Sequence, residues 1–239
     1  MRILVLILLL PSSVLAQREA FTVGTVVAQA GRVASGTIEV PAGPDEGTQI
    51  PISIFHGRNP GPVIAFVAGT HGYEYAPILA LQTMRSRIDP QSLAGTVIFV
   101  HVANMPSFLK RTVYYSPIDG KNLNRSFPGR KDGTSSERIA HALTTEIIAK
   151  SDYVIDIHCG DGNESLRPYS YWINTGNSRI DEAGRQLALA FGLDHIVVDR
   201  GRPTRFGIPV EYRDHPRQTG IDRGIGVSWP VGSGIHPQD

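Results

Sequence analysis

Apolar residues along the chain fall into short runs separated by turn-forming residues, and the spacing within the runs changes partway along. Residues 21–27, 36–41 and 50–56 alternate or cluster β-forming side chains, which predicts an N-terminal antiparallel group. Beyond them, β-rich runs at 62–68, 96–102, 153–157, 169–173 and 195–199 alternate with segments of helical period at 75–87, 135–150 and 179–192. The run from Pro62 to Ala68 is nearly unbroken, as a strand buried on both faces requires, and Gly69 supplies a turn after it. The helix at 75–87 tolerates Pro77 in its first turn, where a backbone donor is not needed. Thr134-Ser135-Ser136-Glu137 reads as a capping box for the helix at 135–150, whose Ile139, Leu143, Ile147 and Ile148 make one apolar face. This alternation predicts one α/β unit with a mostly parallel or mixed sheet covered on both sides. No internal repeat and no transmembrane segment is expected.

The joint after the run 62–68 carries chemistry. Thr70-His71-Gly72-Tyr73-Glu74 sets an imidazole and a carboxylate three residues apart where a strand gives way to a helix. Zinc accepts both donor types, and a catalytic zinc takes three protein ligands and leaves a fourth position to water. A third ligand must therefore come from elsewhere. The run Tyr153-Val154-Ile155-Asp156-Ile157 delivers His158 at its C-terminal end, where ligands gather in open α/β sheets. His71, Glu74 and His158 then form a set of two histidines and one carboxylate, which suits zinc and also cobalt or nickel. Asp156 shares the strand face of His158 and is placed to orient it. Cys159, the only cysteine, follows onto the opposite face and is expected to be buried and inert; it has no partner for an intramolecular disulfide. His56, His101, His141 and His195 are expected to be partly buried polar residues rather than ligands. Asp161, Asn163 and Glu164 follow His158 in a Gly-rich loop within reach of a substrate.

Three ordered segments, GTHGYEYAPI (69–78), DGKNLNRSFPG (119–129) and DIHCGDGNESLRPY (156–169), resemble the succinylglutamate desuccinylase/aspartoacylase family, within the wider zinc carboxypeptidase-like superfamily. The resemblance covers roughly residues 36–210. It implies a mixed, twisted α/β sheet flanked by helices on both faces, and a zinc hydrolase that cleaves the amide bond of an N-acyl amino acid. It also implies one zinc per chain, bound by His71, Glu74 and His158, with Asn124 and Arg125 holding a substrate carboxylate. Arginine suits that task because its guanidinium forks onto a carboxylate with two hydrogen bonds. Arg111 is similar in placement to the family's arginine that polarises the scissile carbonyl.

The family's general base is a glutamate on a later strand, in a context like Thr-Val-Glu, and the sequence shows no counterpart. Residues 211–239 run through charged residues, five glycines and three prolines and are expected to form an irregular tail. Read from the second base of the Glu211 codon, the genetic code permits Asn-Thr-Ala-Thr-Thr-His-Ala-Lys, and a glutamate across Gly224 and Ile225. A family member truncated or frameshifted at its C-terminus is therefore expected, with little or no hydrolysis, since general acid-base help contributes ~10²–10⁴-fold. Two other readings stand beside the deacylase: an exported carboxypeptidase-like metallopeptidase, and a non-catalytic zinc- or ligand-binding remnant.

Composition bounds the partners. A net charge of +1 over 239 residues gives no field to attract nucleic acid, and 41% hydrophobic content suffices for one sizeable core. The three arginines between Arg200 and Arg205 read as a solvated loop. A small molecule bearing a carboxylate is the expected partner. Residues 1–16 read as a signal peptide: Arg2 is the positive start, Ile3 to Leu10 the apolar core, and Ala16 the cleavage residue before Gln17. The apolar run is too short to span a bilayer, so export to a periplasm or beyond is expected. The expected divisions are the signal at 1–16, an N-terminal β region at 17–60, a partial zinc hydrolase-like domain at 61–210 and the tail at 211–239.

Overall fold

A computed structural model of the chain describes residues 18–199 and the strand Ile225–Val231. The expected signal peptide, the Arg200–Arg205 cluster and most of the expected tail lie outside the described residues. A two-stranded ribbon of β1 (Phe21–Val23) and β2 (Val26–Ala28) precedes β3 (Arg32–Val40), β4 (Thr48–His56) and β5 (Asn59–Val67). Then come α1 (Tyr75–Met84), β6 (Ala94–Val100), α2 (Met105–Lys110), α3 (Ser135–Glu146), β7 (Tyr153–Cys159), β8 (Ser170–Ile173), α4 (Ser178–Ala190), β9 (Ile196–Asp199) and β10 (Ile225–Val231). Strands β3 to β10 form one eight-stranded sheet in the order β3-β4-β6-β5-β7-β10-β8-β9.

The pairing is mixed. β3 and β4 are antiparallel, as are β4 and β6, whereas β5 pairs in parallel with both β6 and β7. From β5 the chain crosses to β6 on one side and later returns to β7 on the other. The C-terminal ends of β5 and β7 therefore flank a topological switch point, where a crevice opens above the sheet.

Alternate residues of the central strands feed two cores. Ile50, Ile52, Ile54, Ala65, Val67, Ile98, Val100 and Val154 pack with Ile139, Leu143 and Ile147 of the α3 segment. Phe55, Phe66, Phe99, Ile155 and Ile157 face the other way, against Ile78 and Leu81 of α1. The period of two along each strand thus sends one set of side chains to each helix layer, and both faces of the sheet are covered.

The expected elements from 36 to 199 are present, with ends shifted by a few residues; the run 21–27 is split by a turn into β1 and β2, and α1 and α3 each finish in a short 3-10 turn. The sequence pattern does not anticipate α2, a helix of 6 residues. Nor does it anticipate β10, which replaces the expected irregular chain at Ile225–Val231, the rest of 211–239 lying outside the described residues. β10 inserts between β7 and β8, parallel to the first and antiparallel to the second. A strand in that position need not alternate, and Gly226 and Pro230 hid the run. Pairing with β8 ends at Ser228, so Pro230 lies where the missing N–H breaks no ladder on that side.

The start of α3 is held by three carboxylates. The Thr134 amide donates to Glu137 at 2.9 Å, the Ser135 amide to Asp45 at 2.7 Å and the Ser136 amide to Asp119 at 2.7 Å. The capping box is thus formed, and Asp119 ties the long loop after α2 to the same helix end. The Thr134 amide, then Arg130, hold the Glu137 carboxyl down to about 2 from an ordinary 4.5. Its contribution to stability is full above pH ~4.5 and is lost as pH falls toward ~2. Glu137→Ala is expected to cost about 1 kcal/mol at neutral pH, with the deficit shrinking in acid, as chemical denaturation at several pH values reads. An equal deficit at pH 7 and pH 2 contradicts this.

Candidate metal centre

After β5 the chain turns at Gly69, whose φ of +69° sits in the left-handed region that suits glycine. The turn delivers Thr70, His71 and Glu74 to the crevice, and all three are buried. Gly72 lies against the backbone of α2 at Ser107, so closely that a β-carbon would overlap the Ser107 carbonyl. The Asn104 side chain, which caps α2 by accepting from the Ser107 amide at 3.3 Å, also donates to the Thr70 carbonyl at 3.4 Å. The ligand-bearing loop is thus fixed to a helix end.

His71 Nδ1 lies 2.7 Å from one Glu74 oxygen, and His158 Nδ1 lies 2.8 Å from the other. The two rings are 5.0 Å apart, and donor atoms from all three residues lie within 4.8 Å of one another. The outer nitrogen of His158 meets Asp156 at 2.8 Å, and the second Asp156 oxygen accepts from the Thr70 hydroxyl at 3.0 Å. His71 Nε2 lies 3.3 Å from Asn122 Oδ1, and Tyr114 packs edge-on against the His71 ring at 5.4 Å.

Burial alone would lower the pKa of His158, but the charges and hydrogen bonds of Asp156 and Glu74 outweigh it and raise the pKa well above the ordinary value. Burial likewise acts to raise Glu74, and hydrogen bonds from His158 and His71 turn the balance so that it stays ionised. A cluster of this kind concentrates negative charge at a point faced by two imidazole nitrogens. That donor set fits a divalent ion such as zinc. The Asp156 contact matches the outer carboxylate that orients a metal-binding imidazole. Asp156→Asn keeps the shape but gives up the anion, and zinc affinity is expected to fall by about 10–100-fold in a chelator competition. Unchanged affinity would show that His158 needs no such partner.

Sequence reasoning brought out His71, Glu74, His158 and Asp156, and the structure gathers all four. It did not single out Asn122, Thr70 or Tyr114. Asn122 belongs to the same run as Asn124 and Arg125, and its side-chain oxygen accepts from the Asn124 amide at 2.9 Å while facing His71. Leu123, fully buried, anchors the turn of Leu123–Arg125 in the core, and Arg125 is exposed beside it. Arg111 caps α2 with a φ of +54° and lines a groove with Tyr73, Tyr75, Ile78, Phe108 and Leu109. Among the described residues it makes no hydrogen bond or ion pair with the histidines or Glu74.

Cys159 is buried, outside the donor set, and burial pushes its thiol up to about 11, so it is an inert neighbour. His56 bonds Thr96 and the Glu19 carbonyl, His101 bonds Ser53, and His195 meets Arg167 and Asp194. None of them, nor His141, joins the donor set.

Residues 60–207 match the model of the succinylglutamate desuccinylase/aspartoacylase catalytic domain. The N-alpha-acetyl-L-2,4-diaminobutyric acid deacetylase of Halomonas elongata is 34% identical over 193 residues, covering 76% of this chain and 54% of that protein. This chain therefore spans about half the length of that relative. The product-bound structure of the ectoine utilization protein EutE from Ruegeria pomeroyi superposes with a TM-score of 0.71 at 25% identity, covering 87% of this chain and 62% of that one. A metallo-carboxypeptidase from Burkholderia cenocepacia, at 15% identity and a TM-score of 0.59, shares the fold alone, over 82% of this chain and 55% of its own. The fold is thus the carboxypeptidase-like mixed sheet with helices on both faces, and the chain belongs to the succinylglutamate desuccinylase/aspartoacylase family.

Proposed function

We propose that the chain carries a zinc site for hydrolysis of the amide bond in a small N-acyl amino acid. The observation that carries this reading is the convergence of His71, Glu74 and His158 at the switch point between β5 and β7, with Asp156 behind His158. His71, Glu74 and His158 would hold one zinc ion. Bound there, zinc supplies Lewis acidity, polarising an amide carbonyl and lowering the pKa of water.

The chain's own residues orient the metal ligands and position the substrate. Asp156 accepts the outer proton of His158 and fixes its inner nitrogen toward Glu74. Asn122 does the same for His71 through its side-chain oxygen. Tyr114 covers the His71 ring and limits water on that side. Arg125 and Asn124, on the turn that Asn122 begins, bind the substrate carboxylate, and Arg111 answers the carbonyl if substrate binding draws it inward. The expected signal peptide places the protein in a periplasm or outside the cell.

The relative from Halomonas makes Nα-acetyl-2,4-diaminobutyrate the first substrate to test. With zinc supplied, the full chain is expected to release acetate slowly, without the ~10²–10⁴-fold help of a general base, and to stop doing so when zinc is removed by a chelator. Zinc-bound protein that binds the product without releasing acetate would favour the ligand-binding reading instead. Release that persists without metal would contradict the proposal.

A further inference from the structure

The loop after His158 carries a carboxylate that the metal centre does not use. Asp161 is 9% exposed, and its Oδ1 finds no hydrogen-bond partner among the described residues. It stands outside the set of donors that can share one ion, so it is not a fourth ligand. Yet it is held beside that set. The amide of Gly162 donates to the carbonyl of Tyr73, between the two ligands of the β5 loop, at 3.3 Å. The Tyr114 hydroxyl, whose ring packs on His71, reaches the Asp161 carboxylate. The loop itself is closed by the Glu164 amide donating to the Asp161 carbonyl at 2.9 Å and by the Asp161 amide donating to Glu164 Oε2 at 3.3 Å.

A buried carboxylate oxygen is costly to desolvate unless a donor meets it. Here Glu74 and Glu164 add negative charge nearby, and burial and Glu74 together push the Asp161 carboxyl upward. Tyr114 meets one side of the carboxylate, and Oδ1 is left without a donor among the described residues.

We propose that Asp161 is a specificity residue that receives the side-chain ammonium of the substrate, so that the site selects N-acyl diamino acids over N-acyl amino acids with neutral side chains. This rests on the deacylase reading given above. Within it, the zinc faces the acyl carbonyl, Arg125 and Asn124 face the α-carboxylate, and Asp161 faces the distal amine. A site built to bind a charged donor rejects the analogue lacking it, because the buried acceptor is then left unpaired.

The test uses zinc-loaded full chain and isothermal titration with two product probes, 2,4-diaminobutyrate and 2-aminobutyrate, which differ in the distal amine. Wild type is expected to favour 2,4-diaminobutyrate by about tenfold or more, and Asp161→Asn to bring the ratio close to one. The ratio is taken within one preparation, so partial unfolding does not move it, and Asp161→Glu, which keeps the charge, is expected to retain a preference. A preference that survives in Asp161→Asn overturns the proposal, as does a wild type with none. If wild type has no preference but releases acetate from Nα-acetyl-2-aminobutyrate, the deacylase reading stands and only the role of Asp161 falls. If wild type binds neither probe and hydrolyses neither acetylated form, both fall.

Discussion

Glu74→Ala is expected to lower zinc affinity by about three orders of magnitude. Structural zinc sites hold roughly 10–16 kcal/mol of binding free energy, so each ligand of a small set carries several kcal/mol, and one lost ligand is worth ~10²–10³-fold or more. Glu74 is the severe case because both imidazoles lean on it, at 2.7 and 2.8 Å, and its side chain is 3% exposed. Its removal leaves two buried ring nitrogens facing each other without an acceptor. His71→Ala and His158→Ala are expected to follow closely, and competition against a chromophoric chelator measures all three. Equal zinc content in the wild type and the three variants would sink the metal site.

Gly72→Ala is expected to damage the site without touching a ligand. An added β-carbon would run into the Ser107 carbonyl and crowd the Phe108 amide, which are backbone atoms of α2 and cannot swing away as a side chain does. Nor can α2 retreat freely, since Asn104 ties its first turn to Thr70. Overpacking against backbone costs about 1–3 kcal/mol, and the displaced loop carries both His71 and Glu74. Thermal melting is expected to show a lower Tm, and zinc affinity is expected to drop by at least about tenfold, as for a lost orienting contact. A variant with wild-type Tm and wild-type zinc affinity would mean that the close packing of Gly72 is immaterial.

What the sequence made legible was local. An unbroken β-rich run, a glycine and a helical run place His71 and Glu74 at a strand end, and a period of two puts Asp156 beside His158 on β7. The strand and helix pattern also yields the mixed sheet, because each buried run has one simple way to be covered. What stayed hidden depends on contacts far apart in the chain. Asn122 faces His71 across a separation of 51 residues, and nothing in the Asn-Leu-Asn-Arg run says which amide looks inward. The same holds for Tyr114 over His71 and for Thr70, whose hydroxyl reaches Asp156 from 86 residues away. Helix α2 is short and carries Pro106 near its start, so its period is too brief to read. β10 shows the limit most clearly: its place between β7 and β8 follows from tertiary pairing, while its glycine and proline speak against a strand.

Zinc K-edge absorption spectroscopy on the zinc-loaded chain reads the ligand set of the metal centre itself. A first shell of nitrogen and oxygen at ~2.0–2.2 Å is expected, with the outer scattering of two imidazoles and no sulfur. A sulfur shell at ~2.3 Å, which would bring in Cys159, or a shell without imidazole scattering would contradict it.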